Sequence, residues 1–290
     1  MTVAEAFATF KSELELPERK ASQAAAAQQD LRLKVAQYLD VPDSFLAGSY
    51  ARHTKIDPLN DIDVFLVRNR SRTGVSRDGS GVLPAVALDQ VGTAVRSACG
   101  SRAQIKMQKR SVNVQVQGLP FGFDLIPAWL RTPDGFWIPD TSTGAWLPSD
   151  PQTHADLMTV ANEASGGRLK PLVKMTKHWS RQNFDLLCSF HIELVCREIL
   201  AARTVSSWQF GMATILVHLQ GYIGKPMLDP AYGQTRVDKE LTAEEFGKLS
   251  GRLEFDADNA IRALELENSG NDAAAIAEWT TIFVGRFPMQ

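Results

Sequence analysis

Two aspartates at the start of an apolar segment constrain this chain more than any other feature of its sequence. In the segment "DIDVFLV", Asp61 and Asp63 stand one residue apart and are followed by four apolar residues. Successive side chains of a strand point to opposite faces, so both carboxylates project from one face. Like charges in that position repel each other unless a cation lies between them. Hard oxygen ligands suit Mg²⁺ or Mn²⁺, so the pair predicts a divalent metal site.

A Gly-Ser pair lies upstream of these aspartates. Gly48 and Ser49 end the segment "SFLAGS", whose apolar part predicts a short strand. Glycine lets the backbone approach a phosphate closely, and serine adds a hydroxyl and a backbone N–H at the same place. We therefore expect a triphosphate on this turn, held by metal on the aspartate pair.

A third carboxylate stands inside another apolar strand. Asp124 lies in "FGFDLIPAW", where an acid is costly unless it is paired or binds metal. If this strand lies beside the strand at 61–67, three carboxylates converge. That arrangement holds two metal ions, one stabilising the leaving phosphate and one activating an attacking hydroxyl. Asp124 is then the residue best placed to help deprotonate the hydroxyl.

The chain contains a second pair of aspartates at the same spacing. Asp256 and Asp258 lie in "FDADNA", with no Gly-Ser turn before them and no apolar strand after them. This context predicts solvated acids at the start of a helix, a favourable place for negative charge. The spacing alone is therefore weak evidence, and the surrounding sequence distinguishes the two pairs.

The remaining pattern predicts an α+β fold in two parts. A short helix at 2–16, a long Ala-rich helix at 17–40, a helix at 84–99 and further strands at 103–109 and 111–117 belong to residues 1–150. The segment 68–82 is rich in Arg, Ser and Gly and predicts a mobile loop. Residues 151–290 are helical throughout. Their predicted helices cover 152–164, 168–182, 189–204, 207–223, 242–250, 256–267 and 271–285. No flexible tether separates the parts, so we expect a ligand cleft between them.

Composition excludes several classes of protein. The three cysteines show no paired spacing, which suits a reducing cytosol and argues against disulfides and structural zinc. The N-terminus lacks an apolar signal region, and no window approaches a membrane span of about 18 apolar residues. A net charge of −2 gives no general attraction to nucleic acid or membrane. We expect a cytoplasmic protein without stable nucleic-acid or membrane binding.

The motifs together resemble a known family. Gly48-Ser49, Asp61-Ile62-Asp63 and Asp124 resemble the nucleotidyltransferases of the DNA polymerase β type. The longer segment "GSYARHTKIDPLNDIDVFLV", with "FDLIPAW" about sixty residues on, is similar to the CD-NTases, the bacterial relatives of cyclic GMP-AMP synthase and oligoadenylate synthase. This resemblance implies a polymerase β-like core of mixed sheet and flanking helices, a long N-terminal spine helix and a C-terminal helical lobe. Two departures are His53, where the family often has glycine, and Asn60, where serine is common.

The helical part supplies candidate phosphate ligands. Lys174 and Lys177 lie three residues apart, hence on one helix face, where they form a cationic seat for a triphosphate. The resemblance implies that Lys177 and Ser189 contact the donor phosphates and that Phe190 stacks on a base. The alternatives are a helix N-cap for Ser189 and a solvated lysine for Lys174. Trp179 is expected in the core.

Asn162, just before the lysine helix, is a candidate for base recognition. Its amide offers both a donor and an acceptor, which matches the edge of a uracil or adenine. Some CD-NTases that use pyrimidines resemble this arrangement. The alternative is a polar surface residue on a helical turn.

The resemblance implies attack of a ribose hydroxyl on the α-phosphate of a bound NTP, with release of pyrophosphate. Repetition closes a ring and gives a cyclic di- or trinucleotide, a second messenger that activates a separate effector in CBASS antiphage defence. Two alternatives stay open. One is a linear oligonucleotide or RNA-tailing nucleotidyltransferase, and the other is a nucleotide-binding regulator without catalysis.

Overall fold

The structure is a computed structural model, and it describes residues 1–69, 81–201 and 203–288. Most of the predicted mobile loop at 68–82 lies outside the described residues. The chain forms two compact units. The sheet unit comprises Pro17–Arg52 and Pro58–Ala155, and the helical unit comprises Met1–Leu16, His53–Asp57 and Asp156–Gln290. The segments Met1–Leu16 and His53–Asp57 thus belong to the same unit as the C-terminal helices. The sequence instead predicts a single division at residue 150.

The described part of the sheet unit contains a seven-stranded sheet. The strands are β1 Asp43–Leu46, β2 Asp61–Val67, β3 Ala103–Met107, β4 Val112–Val116, β5 Gly122–Leu130, β6 Phe136–Asp140 and β7 Ala145–Ser149. Five of them follow the order β1-β2-β5-β4-β3, and β6 pairs with both β5 and β7. The β2–β5 pair is parallel and the other pairs are antiparallel, so the sheet is mixed as expected.

Helices accompany the sheet within the same unit. They are α2 Glu18–Ala36, the single-turn α3 Gly48–Ala51 and α4 Pro84–Cys99. The proline at the first turn of α4 fits there because its missing N–H would have no helical partner. Leu88, Val91 and Val95 recur at helical spacing and are buried, and α4 packs against β3, β5 and β6.

The predicted strands differ from the structure mainly at one hairpin. Neither β6 nor β7 is predicted from the sequence. Each contains a proline, which cannot donate to a ladder. Pro139 pairs opposite Trp146, and Pro148 pairs opposite Trp137. The two strands nevertheless form an antiparallel ladder. Trp146 of β7 also contacts Trp129 of β5, with the ring centroids 4.6 Å apart and the rings edge to face.

The helical unit packs around an aromatic core. Its helices are α1 Val3–Leu14, α5 Pro151–Ala164, which begins in the sheet unit, α6 Leu169–Gln182, α7 Ser189–Ala201, α8 Trp208–Leu219, α9 Ala243–Asn268 and α10 Asp272–Ile282. Phe7 of α1 meets Trp279 of α10 edge to face at 4.8 Å, and Phe10 lies 4.6 Å from Phe283. Trp179 is fully buried, which confirms its predicted place in the core. No helix among residues 1–69, 81–201 and 203–288 is long and apolar enough to cross a bilayer.

The prediction for the second aspartate pair is wrong for Asp256. The segments at 242–250 and 256–267 form one continuous helix, α9, which begins with a capping box at Thr242 and Glu245. Asp256 therefore lies in mid-helix and is fully buried rather than solvated. Its Oδ2 accepts hydrogen bonds from Trp179 Nε1 at 2.7 Å and from Arg252 Nε at 2.6 Å. The acid ties α9 to α6, and burial raises its pKa.

Candidate active site

The three predicted carboxylates share one face of the sheet unit. The parallel register of β2 and β5 sets Asp63 directly opposite Asp124 and Asp61 opposite Gly122. Residues paired in this way point to the same side of a sheet. Ile62 and Val64 point to the other side and are fully buried. The apolar pattern of β2 therefore fixes which face carries the acids.

A fourth polar side chain, which the sequence does not single out, joins them. Asn113 of β4 pairs with Asp124 in the antiparallel register. Its Nδ2 atom donates hydrogen bonds to Asp61 Oδ1 and to Asp124 Oδ1, both at 2.9 Å. Two carboxylates are thus linked by one amide. The only signal in the sequence is that Asn113 and Gln115 occupy the polar positions of an alternating strand.

Two glycines stand against the aspartates. Gly48 adopts φ +60°, and a Cβ there would lie 1.6 Å from Asp63 Oδ2. A Cβ at Gly122 would lie 2.4 Å from Asp61 Oδ1. Each carboxylate therefore rests where a larger residue would collide with it. The predicted Gly-Ser turn is the start of the short helix α3, and Ser49 is half-buried there.

The electrostatics of Asp124 follow from its position on an interior strand. Burial raises the pKa of its carboxyl group, and the negative charge of Asp61 adds to that rise. Hydrogen bonds from Asn113 and Ser111 act in the opposite direction. The net rise makes its carboxylate a stronger proton acceptor than an ordinary aspartate. This property suits the predicted role in taking a proton from a hydroxyl group.

The donor set fits a hard divalent cation. Asp61, Asp63 and Asp124 offer carboxylate oxygens from neighbouring strands, and an N–H donor already lies between two of them. Within the described residues, no three acidic, histidine or cysteine side chains stand close enough to enclose a metal ion as they are. The three acids share one face of the sheet, and their oxygens would have to move closer together to hold an ion.

The structure places both predicted lysines in ion pairs within the helical unit. Lys177 is 3% exposed, and its Nζ lies 2.7 Å from Oε1 of the fully buried Glu193. The same Nζ donates to the carbonyl oxygen of Thr54 at 3.1 Å. Lys174 is buried too and pairs with Glu15 at 2.6 Å, so it is not the solvated lysine considered as an alternative. Sequence reasoning missed Glu193 as the partner.

The other candidates lie at the ends of helices in that unit. Ser189 is exposed and is the first residue of α7, so it lies one position past the N-cap. Phe190, the next residue, is half-buried. Asn162 lies near the end of α5, where its Oδ1 accepts from the backbone N of Lys170 at 2.9 Å. Asn162 therefore helps to cap the start of α6.

Comparisons with known proteins agree with this architecture. A model of the Second Messenger Oligonucleotide or Dinucleotide Synthetase domain matches residues 1–162. A cyclic AMP-AMP-AMP synthase from Acinetobacter is 28% identical, and the alignment covers 99% of this chain and 86% of that protein. A probable cyclic nucleotide synthase from Bacillus cereus is 21% identical over 83% of this chain and 81% of that protein.

Solved structures share the fold over nearly the whole chain. CdnC from Escherichia coli MS115-1, determined with ATP, superposes with a TM-score of 0.77 at 18% identity and covers 98% of both chains. The cyclic AMP-GMP synthase DncV of Vibrio cholerae, determined with a linear intermediate, gives 0.80 at 11% identity and covers 99% of this chain and 96% of that one. At such identities the likeness establishes the fold.

Proposed function

Since the chain belongs to the family of second messenger oligonucleotide or dinucleotide synthetases, we propose that it joins nucleoside triphosphates into a cyclic di- or trinucleotide without a template. The observation that carries this proposal is the register of β2 and β5, which sets Asp63 opposite Asp124 with Asp61 on the same face. ATP is the first substrate to test, because the Acinetobacter relative is named for a product of three AMP units.

The reaction forms one bond and breaks one bond at each joining step. A ribose hydroxyl oxygen attacks the α-phosphorus of a second nucleotide, the bond from that phosphorus to pyrophosphate breaks, and pyrophosphate leaves. Asp124 accepts the proton of the attacking hydroxyl. Gly48 leaves room for the carboxylate of Asp63, which would otherwise collide with a side chain.

Asp61, Asp63 and Asp124 would hold two divalent ions, Mg²⁺ or Mn²⁺. When bound, such ions stabilise the charge on the leaving phosphate and make the attacking hydroxyl more acidic. We also propose that Lys177 and Ser189 contact donor phosphates and that Phe190 stacks on a base. The ion pair of Lys177 with Glu193 means that its charge reaches a phosphate only as part of a buried network.

The biological setting is proposed from the same family. The product would act as a second messenger on a separate effector protein in antiphage defence. CdnC of Escherichia coli has been determined in a complex with a HORMA protein. A regulatory protein partner is therefore an additional expectation for this chain.

The test is product analysis. The protein is incubated with each labelled NTP and Mg²⁺, and the products are treated with phosphatase and separated by chromatography. A small phosphatase-resistant product supports the proposal, whereas a ladder of sensitive products indicates a linear polymerase. Absence of any product with all four NTPs and either ion would favour either a regulator without catalysis or an enzyme that lacks its activating partner.

Matched variants locate the reaction. Asp63→Asn should abolish product, because the residue loses its charge while its shape is kept. Asp258→Asn is the control, since Asp258 belongs to the second pair and is exposed on α9. Product formation by Asp63→Asn at the wild-type rate would contradict the assignment of the site.

A further inference from the structure

Asn113, which the sequence does not single out, contacts two of the three carboxylates. Its Nδ2 atom lies 2.9 Å from Asp61 Oδ1 and 2.9 Å from Asp124 Oδ1. We propose that Asn113 is a positioning residue, which fixes Asp61 and Asp124 for metal binding. This inference rests on the proposed function, because it assigns a role within the same site.

The orientation of the amide is determined by its partners. An asparagine amide carries two N–H donors on one side and an acceptor oxygen on the other. If the amide were turned over, its oxygen would face two carboxylate oxygens at hydrogen-bond distance, which is repulsive. Each N–H therefore serves one aspartate, and the two Oδ1 atoms are held at a fixed separation by a single group.

An amide suits this position better than a charged donor. A lysine or arginine here would form an ion pair with the aspartates and would repel an arriving cation. The amide offers only the positive end of a dipole. It reduces the repulsion between the two acids while leaving their full negative charge available to a metal ion.

The backbone around Asn113 is held rigidly by its neighbours. Val112 and Val114, on either side of it, are both fully buried on the opposite face of the sheet. A Cβ at Gly122 would lie 2.4 Å from Asp61 Oδ1, the same atom that accepts a hydrogen bond from Asn113. The carboxylate of Asp61 therefore lies against both the Gly122 backbone and the Asn113 amide. In metal sites, groups that orient ligands in this way typically contribute about 10- to 100-fold in metal affinity.

The test compares two amides on the same strand. Gln115 lies two residues further along β4, on the same face, and its Nε2 donates to the carbonyl oxygens of Leu119 and Phe121 instead. Mn²⁺ affinity is measured without nucleotide by electron paramagnetic resonance, on the full chain, for wild type, Asn113→Ala and Gln115→Ala. We expect about 10- to 100-fold weaker Mn²⁺ binding for Asn113→Ala and unchanged binding for Gln115→Ala.

A purely structural role would give a different result. It would lower the melting temperature of both variants and leave Mn²⁺ affinity unchanged in both, and that result would overturn the proposal. If Asn113→Ala does not fold, Asn113→Leu keeps a similar volume and removes the donor. Its melting temperature should rise less than that of wild type on addition of Mn²⁺, because the two aspartates are no longer held in place for the ion. An equal rise in both proteins would overturn the proposal.

The same titration distinguishes failure of the positioning role from failure of the proposed function. Asp63→Asn is included in the same titration. If wild type binds Mn²⁺ and Asp63→Asn does not, the metal site is supported. The Mn²⁺ affinity of Asn113→Ala then tests the positioning role separately. If wild type binds no Mn²⁺, the metal site itself is refuted, and the role of Asn113 is refuted with it.

Discussion

Gly48 lies so close to Asp63 that a Cβ atom at residue 48 would stand 1.6 Å from Asp63 Oδ2. The backbone of Gly48 also has φ +60°, a conformation that residues with side chains adopt at a cost. Two independent requirements, space and backbone conformation, therefore meet at this glycine. The proposed metal ligand is seated against the first residue of α3.

Gly48→Ala should eliminate product formation, because the new methyl group forces the Asp63 carboxylate out of position. The control is Gly118→Ala, since Gly118 also has a positive φ, +87°, and a Cβ there meets nothing within 4 Å. The control should lose about 1 kcal/mol of unfolding free energy and keep its activity. Measurement of turnover and urea unfolding for both variants checks this. Wild-type turnover in Gly48→Ala would refute the close contact.

The buried pair of Lys177 and Glu193 predicts a large loss of stability. Lys177→Met leaves a fully buried carboxylate without its cation and should lower the unfolding free energy by about 3–5 kcal/mol. Lys174→Met on the same helix should cost about 1 kcal/mol or less, because its partner Glu15 is 46% exposed. Urea unfolding of both variants measures the difference, and equal losses would contradict it.

A second variant separates this structural role from a phosphate contact. Lys177→Met combined with Glu193→Leu should recover most of the lost stability, since no unpaired charge remains buried. If Lys177 also contacts donor phosphates, the double variant keeps a raised KM for NTP. A wild-type KM in the stable double variant would limit Lys177 to the ion pair.

His178 predicts a dependence of stability on pH. The residue is 3% exposed, its ring lies 5.5 Å from that of Phe10, and burial together with the charge of Arg286 lowers its pKa to about 4. Between pH 6.5 and pH 4 the unfolded chain therefore binds a proton that the folded chain does not. Stability is full above pH 6.5 and falls as pH decreases to 4, by about 3 kcal/mol from this residue.

His178→Asn should remove that part of the pH dependence, because asparagine does not titrate. Unfolding free energies at several values between pH 7 and pH 4 give the slope for each protein. Parallel curves for His178→Asn and wild type would show that the imidazole does not titrate in this range on unfolding.

Asn162 can be tested for base recognition apart from its capping role. Asn162→Asp keeps an oxygen that accepts from the Lys170 backbone N, but it loses the amide donor. Asn162→Ala loses both and should destabilise the protein by about 1 kcal/mol. Product composition from an equimolar NTP mixture is the readout. A role in base recognition changes that composition in both variants, and capping alone lowers stability only in Asn162→Ala.

The elements that the sequence predicts well are those whose pattern is local. Strand β2 has the predicted bounds because Ile62, Val64 and Leu66 alternate with the aspartates. The interior strand β5 is identified for the same reason. Hairpin β6–β7 has no such alternation with acidic residues, and its first strand pairs with β5 as well as with β7.

Partners distant in the sequence account for the remaining differences. Asp256 accepts a hydrogen bond from Trp179, which lies 77 residues earlier in the chain. No residue near Asp256 in the sequence predicts that contact. Asn113 reaches Asp61 across β5, over a separation of 52 residues. Charged residues such as Lys177 and Glu193 are expected at the surface from sequence alone, and their ion pair forms only because α6 and α7 pack together. The carboxylates could be recognised from sequence, but the groups that hold them depend on register.

The strands that carry the acids have consequences for how such a protein diversifies. Both β2 and β5 are paired on each side, as the order β1-β2-β5-β4 requires, so their backbones lie in the interior of the sheet. Insertions and substitutions in surface loops do not disturb paired interior strands. Changes confined to those loops therefore leave intact the register that sets Asp63 opposite Asp124.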